Sequence, residues 1–100
     1  MEMGRAGEGV ELGEVLHNMG VTRVMGPLEL WYAARDLRWV ESPKRLPGEP
    51  YEEKLRIAAS FLEIRHVILP SDALAGLSGI QGWKPLWEGA HWALVGIGGP

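Results

Sequence analysis

Each of the three histidines in the chain follows a glutamate by three positions: Glu14-Val-Leu-His17, Glu63-Ile-Arg-His66 and Glu88-Gly-Ala-His91. On a helix, positions i and i+3 share a face, so each pair would present a carboxylate beside an imidazole. Two such pairs from two helices could hold a divalent metal, which makes Glu14, His17, Glu63, His66, Glu88 and His91 the candidate ligands. The plainer reading is three surface pairs worth roughly a few tenths of a kcal/mol each.

Carboxylate-bridged di-metal bundles also take a lone Glu from each of two further helices. Here only Glu11 and Glu29 could serve, on short segments. Other chemistry has less support. Ser42, Ser60, Ser71 and Ser78 are the serines, and none lies in a Gly-x-Ser-x-Gly elbow. Gly96-Ile-Gly-Gly99 has no following helix with which to cradle a phosphate. Across Arg56–Leu69, Ala59, Ile64 and Leu69 have a spacing reminiscent of a helix-turn-helix, but Glu63 occupies the turn position where Gly is usual and Pro70 blocks the second helix. No catalytic residues and no cofactor are assigned, and the expectation is a protein that is not an enzyme.

The aromatic residues point elsewhere. Five tryptophans in 100 residues exceed what a small interior readily takes up. Trp, Tyr and Arg are the types that dominate binding hot spots. Trp31, Tyr32 and Trp39, with Arg35 and Arg38 at the rim, form the candidate partner-binding set. The partner would be another protein or a second copy of the chain.

Composition narrows the field. The chain carries no cysteine, so disulfides, thiolate metal sites and thiol catalysis are excluded. The net charge of −3 argues against a protein held on nucleic acid by bulk charge. No run of about 18 apolar residues is present to span a membrane, and no signal peptide is visible, so the expected location is cytoplasmic. Seven Arg against three Lys, with one Asn and one Gln, reflects GC-rich codons and hence a GC-rich bacterium or a phage of one.

The elements that must position these residues read as follows. Residues 1–9 are Gly-rich and expected to be flexible, and residues 10–100 form a single domain. A helix begins at Val10 and ends at Gly20, a natural left-handed terminator. Val21–Met25 is a short β-prone stretch. Pro27 opens a helix over Leu28–Val40 that is apolar on two sides. A proline-rich loop, 42–50, leads to a helix over Tyr51–Leu69, whose last residues, His66–Leu69, are β-branched enough to be extended instead. Ser71 or Asp72 caps a short helix to Leu77. Residues 85–97 fit a helix by a small margin over a buried strand at Trp92–Ile97.

The resulting expectation is a mainly α fold. It is a compact bundle of four or five short helices, with at most a minor two-stranded element from residues 21–25 and 91–97. Its expected function is a small interaction or regulatory module that docks a partner through an aromatic helix face. The alternatives are a metal-binding helical protein using its Glu-x-x-His pairs and a helix-turn-helix DNA-binding regulator.

Overall fold

The computed structural model describes residues 3–33, 37–44, 46–48, 50–77 and 82–98. Among them the chain forms α1 (Met3–Asn18), β1 (Arg23–Gly26), a 3-10 helix (Leu28–Ala33) and β2 (Arg38–Glu41). It continues with α2 (Tyr51–Leu62), β3 (His66–Pro70), a 3-10 turn (Ser71–Ala73) running into α3 (Leu74–Leu77), β4 (Trp83–Glu88) and β5 (Trp92–Ile97). The strands make one five-stranded mixed sheet, ordered β2-β1-β3-β5-β4. β1 pairs in parallel with β2 and β3, and β5 runs antiparallel to β3 and β4. The expected mainly α bundle is therefore wrong: a mixed sheet forms the centre and the helices cover it.

Alternation along the strands divides the interior in two. On one face Met25, Val67, Leu69, Val95 and Trp83 meet Tyr51, Leu55 and Ala59 of α2. On the other Val24, Ile68, Leu94 and Trp92 meet Leu12 and Leu16 of α1, together with Leu30 from the 3-10 helix. The central strands are thus buried on both faces, which is why their sequences are continuous apolar runs rather than alternating ones. Val67, Ile68 and Leu69 are all fully buried, and their side chains point in turn to the α2, α1 and α2 faces.

The same physics corrects three expected helices. The segment 28–40 starts as foreseen at Pro27 but leaves the helical path after Ala33, and Arg38–Glu41 becomes β2. The expected stripes are redistributed: Leu30, Leu37 and Trp39 pack toward the α1 face, whereas Val40 packs toward the α2 face. The helix expected to reach Leu69 ends at Leu62, and His66–Pro70 is β3. Residues 83–97 form a hairpin instead of a helix. The start of the chain differs too, since α1 begins at Met3 rather than Val10.

Both longer helices end in one geometry. Val21 N–H bonds Leu16 C=O and Gly20 N–H bonds His17 C=O, with Gly20 at φ 71°. At the end of α2, Ile64 N–H bonds Ala59 C=O and Glu63 N–H bonds Ser60 C=O, with Glu63 at φ 56°. In each case the next residue, Val21 or Ile64, is buried and closes the turn from below. Gly20 does this without strain, whereas Glu63 adopts a left-handed conformation that disfavours a Cβ.

The hairpin contains a β-bulge. Pro85 stands opposite Val95 and Trp87 opposite Leu94, so β4 spends two steps where β5 spends one. The extra residue inverts the alternation. Trp83 faces α2, whereas Trp87 packs on the α1 side, where its indole N–H donates to Glu11 Oε1 at 3.3 Å. The extra residue, Leu86, fills the space a Cβ on Gly96 would take, with its Cδ1 only 2.8 Å from that position.

Candidate interaction edge

β2 and β4 are the outer strands of the sheet, and β2 carries the described part of the expected partner-binding set. Arg38 N–H bonds Thr22 C=O and Ser42 N–H bonds Gly26 C=O, both at 2.9 Å, on the β1 side. Alternate residues of a strand turn their peptide groups to opposite sides, so Arg38, Val40 and Ser42 serve β1. Trp39 and Glu41 turn their N–H and C=O groups outward, where no further strand lies among the described residues. The Trp39 ring packs closely against Gly26 of β1. A Cβ on Gly26 would stand 2.7 Å from Trp39 Cζ2 and 3.2 Å from Ile68 Cβ. Trp39 Nε1 is buried and has no hydrogen-bond partner among the described residues. Beyond β2, the loop is tied back to α2 by Lys54 Nζ, which donates to Lys44 C=O at 3.2 Å.

In-register pairing builds a charged row that sequence spacing could not show. Arg38 stands beside Arg23. Met25 stands beside Val67, the one described pair between β1 and β3. The bond from Ile97 N–H to Arg65 C=O holds Arg65, just before β3, beside β5. By alternation Arg38 and Arg23 share the α2 face with Val40 and Met25, and Arg65 lies near the same end of the sheet. All three are exposed. Arg23 donates to Leu62 C=O at 3.1 Å and so caps the end of α2. Among the described residues neither Arg38 nor Arg65 has a carboxylate partner. Burial pushes the His66 imidazole below its ordinary value, and Arg65 beside it pushes in the same direction.

The other expected sites are scattered. Trp31 and Tyr32 fall in the 3-10 helix, but their side chains, like Arg35, lie outside the described residues. The shared helix face expected to unite Trp31 with Trp39 does not exist, because Trp39 is on a strand. Of the Glu-x-x-His pairs, only Glu14 and His17 share a helix, and both are exposed. Glu63 follows α2 and His66 opens β3, while Glu88 ends β4 and His91 lies in the hairpin turn at the opposite end of the sheet. No group of three or more metal-ligating side chains converges among the described residues. The helical premise of the metal-site alternative is thereby removed. The helix-turn-helix alternative fails as well, because Ile64–Leu69 leads into and forms β3, which occupies the centre of the sheet.

The tryptophans are also placed differently. Trp83 and Trp92 are buried, and Trp39 and Trp87 are half-buried against the α1-side core. The exposed apolar surface comes instead from side chains such as Ile57 and Phe61, one turn apart on the outer side of α2, with Phe61 85% exposed. Beside them Arg56 hydrogen-bonds Glu53, which holds the Glu53 carboxyl below its usual range. No described helix is long and apolar enough to cross a membrane.

No family model matches the chain, and no match was found among curated proteins or solved structures.

Proposed function

We propose that this protein is a non-catalytic interaction module that captures an extended segment of a partner protein by strand addition at β2, in the cytoplasm. One observation carries the reading: β2 is an outer strand with an unbroken ladder, while the opposite outer strand is interrupted. β4 contains Pro85 and a bulge at 85–87. β2 has neither proline nor bulge, and it keeps register with β1 through all four of its residues. A guest strand would take its main-chain hydrogen bonds from the outward peptide groups of Trp39 and Glu41 and its specificity from the side chains of Arg38 to Glu41.

Glu41→Pro tests this directly. It removes an outward N–H and leaves those directed at β1 intact, so the fold should survive while strand addition fails. Wild type and variant are panned against one displayed library of random octapeptides. Peptides should be enriched on the wild type and lost on Glu41→Pro, and bound peptide should slow amide exchange at Trp39 and Glu41 but not at Arg38. A library that yields no binder, or binders indifferent to Glu41→Pro, overturns the proposal.

A further inference from the structure

The arginine row determines which guest the β2 edge would accept. We infer that the captured segment carries an acidic residue in register with Arg38, two apolar residues opposite Trp39 and Val40, and a basic residue opposite Glu41. This deepens the strand-addition reading and rests on it.

Like charges side by side across strands oppose folding, whereas an opposite charge in that place stabilises. Here Arg38 and Arg23 stand side by side on the α2 face, with Arg65 near the same end of the sheet. Arg23 is engaged by a main-chain carbonyl, and no described carboxylate pairs with any of the three. A strand added outside β2 extends every row by one position, at about 4.8 Å spacing. Its residue beside Arg38 then sits at the end of a row of two guanidiniums. A carboxylate there pairs with Arg38 directly and lies about 10 Å from the backbone of Arg23, close enough for attraction at low salt. One position along, on the α1 face, half-buried Trp39 asks for an apolar neighbour, and the next position faces half-buried Val40. The last faces the exposed carboxylate of Glu41.

A second copy of the chain meets these demands poorly. In an antiparallel pair, outward-turned residues must face outward-turned residues. Trp39 and Glu41 are the outward ones, so a two-fold pair centred on Val40 sets Trp39 against Glu41 of the other copy and Arg38 against Ser42. The charges of Arg38 and Glu41 then remain unmatched. The other registers within β2 that preserve this parity centre on Trp39, leaving the charges unmatched again, on Glu41, setting two carboxylates face to face, or on Arg38, setting two guanidiniums face to face. The geometry therefore favours a different protein as partner.

The test uses fluorescent octapeptides with the cores Glu-Val-Val-Lys and Lys-Val-Val-Glu, which cover both strand directions, and Lys-Val-Val-Lys as control. Anisotropy titration against the full chain at low salt should show the better of the first two binding about fivefold tighter than the control. In Arg38→Glu that preference should reverse, and in Arg65→Ala, away from the edge, it should shrink from both sides, the Glu-containing peptide weakening slightly and the control tightening slightly. Equal binding of all three peptides, abolished by Glu41→Pro, overturns the guest pattern and leaves strand addition standing. No binding of any peptide overturns both. Concentration-dependent self-association that Glu41→Pro abolishes overturns the choice of partner and identifies a second copy as the occupant.

Discussion

The two outer strands of the sheet are built on opposite plans. β4 interrupts its ladder with Pro85, inserts Leu86 as an extra residue and twists the strand at that point. β2 does none of this. Its four residues stay in register, and an indole packs against the glycine of the neighbouring strand. A sheet that blunts one margin and leaves the other unbroken is asymmetric in what it can bind. The difference also shows that blunting was within reach of this fold, since proline and bulge appear where the sheet must stop.

The comparison can be broken in stages. The largest effect comes from removing what both margins share. Ile68 is fully buried on the central strand, and Ile68→Ala should cost about 3 kcal/mol in a urea titration. An intact midpoint would contradict the assigned core. Next is the seat of β2. Gly26→Ala drives a methyl into the Trp39 ring and should cost about 2 kcal/mol, with the Trp39 indole signal shifting in the NMR spectrum. The same substitution at Gly48, where nothing lies within 4 Å but φ is 79°, should cost only the local backbone penalty of about 1 kcal/mol.

Glu63→Gly sharpens the comparison from outside both margins. It should stabilise the fold by about 1 kcal/mol through relief of the left-handed backbone, with peptide binding at β2 unchanged. Pro85→Val should leave the midpoint within about 0.5 kcal/mol, because its outward position serves no described ladder bond. It should nevertheless raise self-association in sedimentation runs if proline is what blunts β4.

The smallest effect concerns pH. His66 is held neutral in the fold, its pKa pushed below the ordinary 6.5. Below that value the unfolded chain takes up a proton that the folded one resists, so stability falls as pH drops through 6.5 and is flat above about 7. His66→Gln should flatten that slope, as read from melting temperatures between pH 5 and pH 8.

Local signals in the sequence located several boundaries. Gly20 ends α1, Pro27 opens a 3-10 helix, α2 starts at Tyr51 after Pro50, and Ser71 starts the short segment to Leu77. The β-branched tail at His66–Leu69 and the alternative strand at Trp92–Ile97 are real strands. What misled was periodicity. A short run buried on both faces, such as Val67-Ile-Leu69, carries no alternation, and period alone does not separate it from a helix. Segment 28–40 failed because it changes element: the helix at Leu28–Ala33 is 3-10 and stops, and Arg38–Glu41 is a strand, which helical spacing run through the whole segment does not anticipate. The candidate site was legible as far as Arg38 and Trp39. Arg23 was not, because its alignment with Arg38 arises only once two separate segments pair in register.

The bulge at Leu86 ties together segments far apart in sequence. By turning Trp87 toward α1, it lets that side chain grip Glu11 across 76 residues. Leu12 and Leu16 find part of their cover close by, in Val21, Val24 and Leu30, and the rest in Ile68, Trp92 and Leu94. The α1 side of the interior therefore closes through contacts of long sequence separation, the kind whose loop entropy must be met before they repay it, and which slow folding.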